Sequence, residues 1–197
     1  MGDNLGKYVV CDVTKCSGCK ACELACFAGH NKEDNQVGMT VGTVEVEVAP
    51  RLYVIKINDE VSIPIQCKHC EDAPCLNICS KNAIKRVNGQ VIIDRDRCIG
   101  CKDCMLACPF GAIDLKNVFI DKKPVLQSGG TDVAKAAIKC DLCINDPKGP
   151  ACVRTCPNNA LKLIDPELFK TEKNIAEAKA LYEASLNKAK EGENGIH

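Results

Sequence analysis

The sequence contains no tryptophan, and only four phenylalanines and three tyrosines among 197 residues. Aromatic rings supply much of the buried bulk of an ordinary domain, so a conventional hydrophobic core is excluded. Net charge is also missing, because 26 Lys and Arg balance 26 Asp and Glu. A neutral chain offers no broad basic face, which argues against nucleic acid or a lipid surface as partner. Nor are basic residues interleaved with aromatics, as a nucleic-acid module requires. No apolar run reaches the roughly 18 residues that a membrane-spanning helix needs, so no direct membrane span is expected. The opening MGDNLGKYVVCDVT has neither an apolar stretch of signal length nor a twin arginine. The protein is therefore expected in the cytoplasm.

Cysteine is what the chain has instead, at 17 residues. Such density is typical of small secreted disulfide proteins, but in a reducing compartment clustered thiols usually bind metal. The cysteines form four motifs. Cys16, Cys19, Cys22 and Cys26 read C-x2-C-x2-C-x3-C, and Cys98, Cys101, Cys104 and Cys108 repeat that spacing. Cys67, Cys70, Cys75 and Cys79 widen the middle gap to four residues; Cys140, Cys143, Cys152 and Cys156 widen it to eight. The first and third motifs carry the bacterial ferredoxin spacing, in which the fourth cysteine serves the other cluster of a pair.

Three closely spaced cysteines let one tight loop wrap three corners of a cubane. The fourth begins a short helix and points away, so it needs a second cluster, and such motifs come in pairs. Proline after Cys108 and Cys156 suits a first helical turn, where its missing N–H costs nothing. Disulfides fit poorly, because triplets of cysteines three apart cannot all pair with good geometry. Zinc ribbons use two C-x2-C pairs, whereas each motif here has a third cysteine in the same loop. All four motifs are complete, which predicts four [4Fe–4S] clusters on sixteen cysteines. No cluster is left with an open coordination position, so no catalytic residue is assigned and the chain is expected not to be an enzyme by itself.

The repeat extends beyond cysteine. Cys79-Ser-Lys-Asn-Ala-Ile84, Cys108-Pro-Phe-Gly-Ala-Ile113 and Cys156-Pro-Asn-Asn-Ala-Leu161 share one template. In each, Asn or Gly stands where a chain leaving a helix needs a left-handed turn. Cys26-Phe-Ala-Gly-His30 breaks the template, so a different connection should leave the first motif. Cys11, in the alternating stretch Tyr8 to Val13, reads as a buried free thiol on a strand. His69 lies in a run that already has four thiolates and reads as a neighbour of the site or an exposed residue. His30 and His197 carry no signal.

The expected fold class is α+β: two bacterial-ferredoxin-like modules, each for two [4Fe–4S] clusters, one inserted in the other, plus a C-terminal helix. Residues 61–130 form the inner module, in which Ile84 to Asp94 is a hairpin turning at Asn88-Gly89, so the second and third motifs should share clusters. The first and fourth motifs are left to pair, giving an outer module of residues 1–60 with 131–164. Thr43 to Val48 alternates with period two and Arg51 to Ile57 is apolar-rich, which reads as a hairpin. Lys122 to Pro124 and Ser128 to Gly130 suggest a surface connection within 114–139. Residues 165–197 form a helix and tail, starting at Asp165 and Pro166. Leu168, Ile175, Tyr182 and Ala189 recur every seven residues along it, a face for a partner subunit, a second copy or the chain's own modules.

Pro64 to Cys75, Arg97-Cys-Ile-Gly-Cys101, Lys139-Cys-Asp-Leu-Cys143 and Gly149-Pro-Ala-Cys152 resemble the four-cluster electron-transfer subunits. These accompany formate dehydrogenases, formate hydrogenlyase, hydrogen-dependent CO2 reductase and CO dehydrogenase–hydrogenase complexes. The resemblance covers about residues 8–164 and implies a crossed ligand assignment. Cys16, Cys19, Cys22 and Cys156 would hold one cluster, and Cys140, Cys143, Cys152 and Cys26 its neighbour. Cys67, Cys70, Cys75 and Cys108 would hold a third, and Cys98, Cys101, Cys104 and Cys79 the fourth. The expected partners are a catalytic oxidoreductase subunit and a hydrogenase or second iron–sulfur subunit. The alternative function is a free-standing soluble polyferredoxin.

Overall fold

The computed structural model describes residues 6–33, 49–120, 123–127 and 130–193. β1 (Tyr8–Cys11) feeds the first cysteine loop, which turns into α1 (Ala21–Glu33). β2 (Leu52–Lys56) and β3 (Ser62–Gln66) precede the second loop and α2 (Pro74–Asn77). β4 (Ile84–Val87) and β5 (Gln90–Ile93) lead to the third loop and α3 (Asp103–Ala107). β6 (Asp114–Asn117), β7 (Phe119–Ile120), β8 (Lys123–Pro124) and β9 (Lys135–Ile138) separate the third loop from the fourth. α4 (Ala151–Thr155) closes the fourth loop, followed by β10 (Leu161–Ile164) and α5 (Pro166–Glu193).

Every sheet among the described residues is a two-stranded antiparallel pair. β1 pairs with β10, with Tyr8 opposite Ile164 and Cys11 opposite Leu161, so the two ends of the cysteine-bearing chain are zipped together. β4 and β5 form the expected hairpin, turning at Asn88 (φ 49) and Gly89 (φ 79), the left-handed pair that a tight two-residue turn demands. β2 pairs with β3; its expected partner, 43–48, lies outside the described residues. The stretch 114–138, which reads as a surface connection, contains two further pairings, β6 with β9 and β7 with β8. Its exposed tip at Lys123 and Pro124 carries the loop signals, but Ala136, Ala137 and Ile138 are buried. Small residues let β9 lie close beneath a cysteine loop, a requirement with no periodic signature.

The buried residues form two groups, and thiols are prominent in both. Val9, Leu52, Val54, Ala112, Leu142 and Leu161 surround Cys22, Cys26, Cys67, Cys140 and Cys152. Ala73, Ile84, Val91, Ile113 and Ala137 surround Cys75 and Cys104. The helices pack in two pairs, α1 on α4 and α2 on α3. Between the halves, Gln66 Nε2 donates to Val9 O at 3.0 Å, and the Tyr53 hydroxyl donates to Asp114 Oδ2 at 2.8 Å. β9 lies C-terminal to residue 130 yet shares a core with Ile84 and Val91 through Ala137.

α5 begins where the sequence indicates. Asp165 Oδ1 accepts the Glu167 N–H at 3.2 Å and caps the first turn, and Pro166 occupies the first helical position. Leu168, Ile175, Leu181 and Tyr182 are 62, 52, 64 and 63% exposed, so this stripe is not buried on the chain's own body. No helix among the described residues is long and apolar enough to cross a membrane.

Gly100 tests how closely β9 and the third loop fit. Its φ is +69° and a Cβ there would stand against the Lys135 carbonyl, whereas Gly111, at φ +59°, faces open space. Gly100→Ala should cost about 2 kcal/mol or more from the left-handed backbone and the clash. An anaerobic thermal melt of the iron-loaded protein should fall by roughly 4 °C or more. Gly111→Asn, which places there the residue found in the sister loops, should leave the melt unchanged.

Candidate metal centres

Each cysteine loop bends through residues of left-handed conformation. The residue before the second cysteine has positive φ in all four loops, at Gly18, His69, Gly100 and Leu142. Such alternation turns successive N–H groups inward and forms a concavity suited to anions. The three template repeats make their left-handed turns where the sequence indicates, but the fourth cysteine follows the end of a short helix and does not begin one, so Pro109 and Pro157 stand in turns. Asn82, Gly111 and Asn159 have φ of 50, 59 and 49°. The next residue then aims its N–H back at the fourth cysteine: Ala83 to Cys79 Sγ at 3.3 Å, Ala112 to Cys108 at 3.4 Å, and Ala160 to Cys156 at 3.2 Å. At the first motif helix α1 runs straight on past Cys26, and the Sγ accepts instead from Arg51 N–H at 3.3 Å.

Twelve of the motif cysteines line three recesses, and each recess mixes two motifs. A recess of about 330 Å³ is lined by Cys16, Cys19 and Cys22 with Cys156. A second, of about 340 Å³, is lined by Cys67, Cys70 and Cys75 with Cys108. A third, of about 390 Å³, is lined by Cys98, Cys101 and Cys104 with Cys79. Cys26 lies within electrostatic range of Cys140, Cys143 and Cys152. Ala137 N–H adds a donor to Cys98 Sγ at 3.2 Å.

Burial pushes the Cys104 and Cys22 thiols up to about 11 and Cys152 up to about 12, and Cys140 is raised well above the ordinary range. Thiols so placed do not ionise unaided, yet only thiolates ligate metal. Such thiols are stable as thiolates only beside a cationic core. The donor set and the inward N–H groups fit a [4Fe–4S] cluster.

Cys11 and His30 lie differently from their sequence reading, and His69 is a neighbour of the site, the first of its two readings. Cys11 is half-buried on β1; burial, with Cys16 beside it, pushes its thiol up to about 12. His69 is buried, and burial with Lys139 nearby lowers it to about 3. Its Nδ1 accepts the Val91 N–H at 3.1 Å, so the proton sits on Nε2. His30, read as carrying no signal, is buried in a charged network. Its Nδ1 lies 2.8 Å from Cys26 O and its Nε2 2.9 Å from Asp141 Oδ1. Burial disfavours the imidazolium, but the hydrogen bonds to Asp141 and Cys26 outweigh it and push the pKa up to about 10. Burial would raise Asp141, but His30 and Arg51 hold its carboxyl well below the usual range. Lys139 is also buried, donating to the carbonyls of Val91 and Cys140. The one available signal was the broken template, which puts His30 where the sister repeats have Ala. His197 lies outside the described residues.

Intact protein should contain about sixteen iron and sixteen sulfide per chain, four of each per site. Anaerobic chelation should bleach the visible absorbance and abolish most of the cooperative melt, because the recesses then have nothing to fill them. Loss of colour with an unchanged melt would show that the fold stands without metal.

Residues 59–166 match the 4Fe-4S dicluster domain family. Over 163 residues the chain is 40% identical to YsaA of Escherichia coli (strain K12), covering 83% of this chain and 92% of that protein. It is 38% identical over 167 residues to the electron transport protein HydN of the same organism, covering 82% and 89%. Formate hydrogenlyase subunit 2 of that organism is 38% identical over 184 residues, covering 82% and 83%. This chain belongs to the 4Fe-4S dicluster domain family and is an iron–sulfur electron-transport protein.

Proposed function

We propose that the chain is the electron-relay subunit of a cytoplasmic complex. It joins a catalytic subunit that oxidises or reduces formate or CO to a hydrogenase or another iron–sulfur acceptor. The observation that carries this reading is the mixed composition of the thiol sets, three cysteines from one motif and the fourth from another. On this reading Cys16, Cys19, Cys22 and Cys156 hold one cluster and Cys140, Cys143, Cys152 and Cys26 its neighbour. Cys67, Cys70, Cys75 and Cys108 serve a third, and Cys98, Cys101, Cys104 and Cys79 the fourth. The pairing of β1 with β10 and the packing of α1 on α4 support a nested arrangement, in which residues 1–60 and 131–164 enclose an inner module at 61–130.

A bound [4Fe–4S] cluster supplies one-electron redox chemistry. The chain's part is to hold its ligand sets in succession and to shield the middle ones. Cys104 of one set lies within electrostatic range of Cys75 of the next. Cys67 shares a core with Cys140 and Cys152, and Cys152 lies near Cys22. The exposed cysteines, Cys101 and Cys19, belong to the two end sets. Exposed Ile99 and Leu106 flank Cys101, and exposed Leu24 follows Cys22, which suits docking of partner proteins at both ends. A freely diffusing carrier would leave these side chains and the α5 stripe in water. The 38% identity to formate hydrogenlyase subunit 2 favours the subunit reading. Purification from the native source tests it: a subunit co-elutes with its partners, and a free polyferredoxin elutes alone.

The crossed assignment has its own test in single-ligand variants. Cys156→Ala should first change the paramagnetic signal of the set containing Cys16, Cys19 and Cys22, and Cys79→Ala that of the Cys98 loop. Damage confined to each variant's own loop would overturn the nested reading. Ending the chain after Ile164 removes no ligand and should leave iron content and spectra intact. Because an isolated helix of this length gains most of its stability from packing, we expect α5 to dock on a partner subunit or a second copy. The truncated chain should then show a smaller assembly by size exclusion with light scattering. An unchanged assembly with a lowered melt would show that α5 serves its own chain.

A further inference from the structure

The set Cys26, Cys140, Cys143 and Cys152 is surrounded unlike the other three. Where the template repeats turn back after their fourth cysteine, α1 continues and brings His30 one turn beyond Cys26. The His30 Nδ1 lies 2.8 Å from Cys26 O and 3.6 Å from Cys26 Sγ. A carbonyl only accepts, so Nδ1 carries a proton. Asp141 takes the Arg51 guanidinium on Oδ2, and Oδ1 receives Cys143 N–H at 3.0 Å. A carboxylate with these donors is ionised, so Nε2, 2.9 Å from Oδ1, carries a proton too. His30 is an imidazolium by geometry.

Two cations and one carboxylate leave this trio at +1, and the side chains of His30, Asp141 and Arg51 are only 8, 14 and 14% exposed. Lys139, 4% exposed, adds a second positive charge beside Cys140. His30, Asp141 and Cys143 are close enough together to suggest an extra ion. Both ring nitrogens are spent on hydrogen bonds, however, which leaves no lone pair for one. The trio acts instead on its neighbour. One-electron reduction adds negative charge to a cluster, and a fixed buried cation favours that charge far more than a solvated one does. Net charge and hydrogen bonds to sulfur are the levers that set cluster potentials. Among the described residues, the Cys79, Cys108 and Cys156 sulfurs have backbone donors but no buried imidazolium.

We propose that His30, oriented by Asp141 and Arg51, is a positioning residue that makes the Cys26–Cys140–Cys143–Cys152 site the most readily reduced of the four. The inference rests on the ligand assignment under Proposed function. An electron from a one-electron donor is held there as added negative charge on the cluster. Formate, CO and hydrogen exchange electrons in pairs, whereas the relay passes them singly. A site of raised potential in the interior lets the subunit hold one electron while the other moves on.

The test is an anaerobic redox titration of the full-length iron-loaded protein, followed by electron paramagnetic resonance. Cys26→Ser identifies the signal of this site. In the unaltered protein that signal should be the first to change on reduction. His30→Gln should lower its reduced-to-oxidised ratio at fixed potential by tenfold or more, about 59 mV for a one-electron couple. The other three signals should stay in place, and His30→Lys should restore part of the shift. Lys139→Met should move the same signal in the same direction, together with that of the Cys75 set, which Lys139 also faces. A site reduced last in the unaltered protein, or a His30→Gln shift that is absent or shared equally by all four signals, would overturn the proposal. Failure of the ligand assignment would look different: Cys26→Ser would then leave this set's signal intact and alter another.

Discussion

The fold depends on thiolates bonded to a core that the chain does not itself provide. Apolar side chains line the protein more than they fill it. Val9, Leu52, Val54 and Val91 are among the bulkier buried ones, and no aromatic ring is among them. Burial raises the Cys22, Cys104, Cys140 and Cys152 thiols, which disfavours their ionisation. Metal binding reverses this, and its free energy becomes folding free energy. The scarcity of aromatics and the abundance of cysteine are thus one constraint seen from two sides.

The same constraint explains the economy of the loops. Short helices and two-stranded sheets are marginal as isolated elements. They suffice here because each has only to aim three or four sulfurs. Left-handed residues at Gly18, His69, Gly100 and Leu142 turn the backbone tightly enough for that. An Ala N–H on the fourth sulfur then completes three of the sets.

The departure from the repeat has a structural consequence. Continuing α1 past Cys26 frees that sulfur from its local donor and gives it to Arg51, whose side chain meets Asp141. The continued helix also delivers His30 to the same carboxylate. One altered connection therefore introduces two buried cations beside one set of thiols. A family built by repetition acquires sites that are alike in ligands and unlike in electrostatic surroundings.

The sequence by itself determined whatever rests on short-range chemistry. Cysteine spacing, the Asn and Gly positions of the template, the Asn88-Gly89 turn and the Asp165-Pro166 helix start are all written within a few residues. Each follows from local backbone preference or ligand reach. Tertiary structure decided what depends on residues far apart in the chain. β9 lies under the third loop because Ala136 and Ala137 are small enough to fit there. Cys156 lines the recess of Cys16, Cys19 and Cys22 because β10 pairs with β1. His30 meets Asp141 across 111 positions; the broken template marks His30 as different but does not name its partner. Such contacts have no period and no motif; they exist only where folding removes water from both partners.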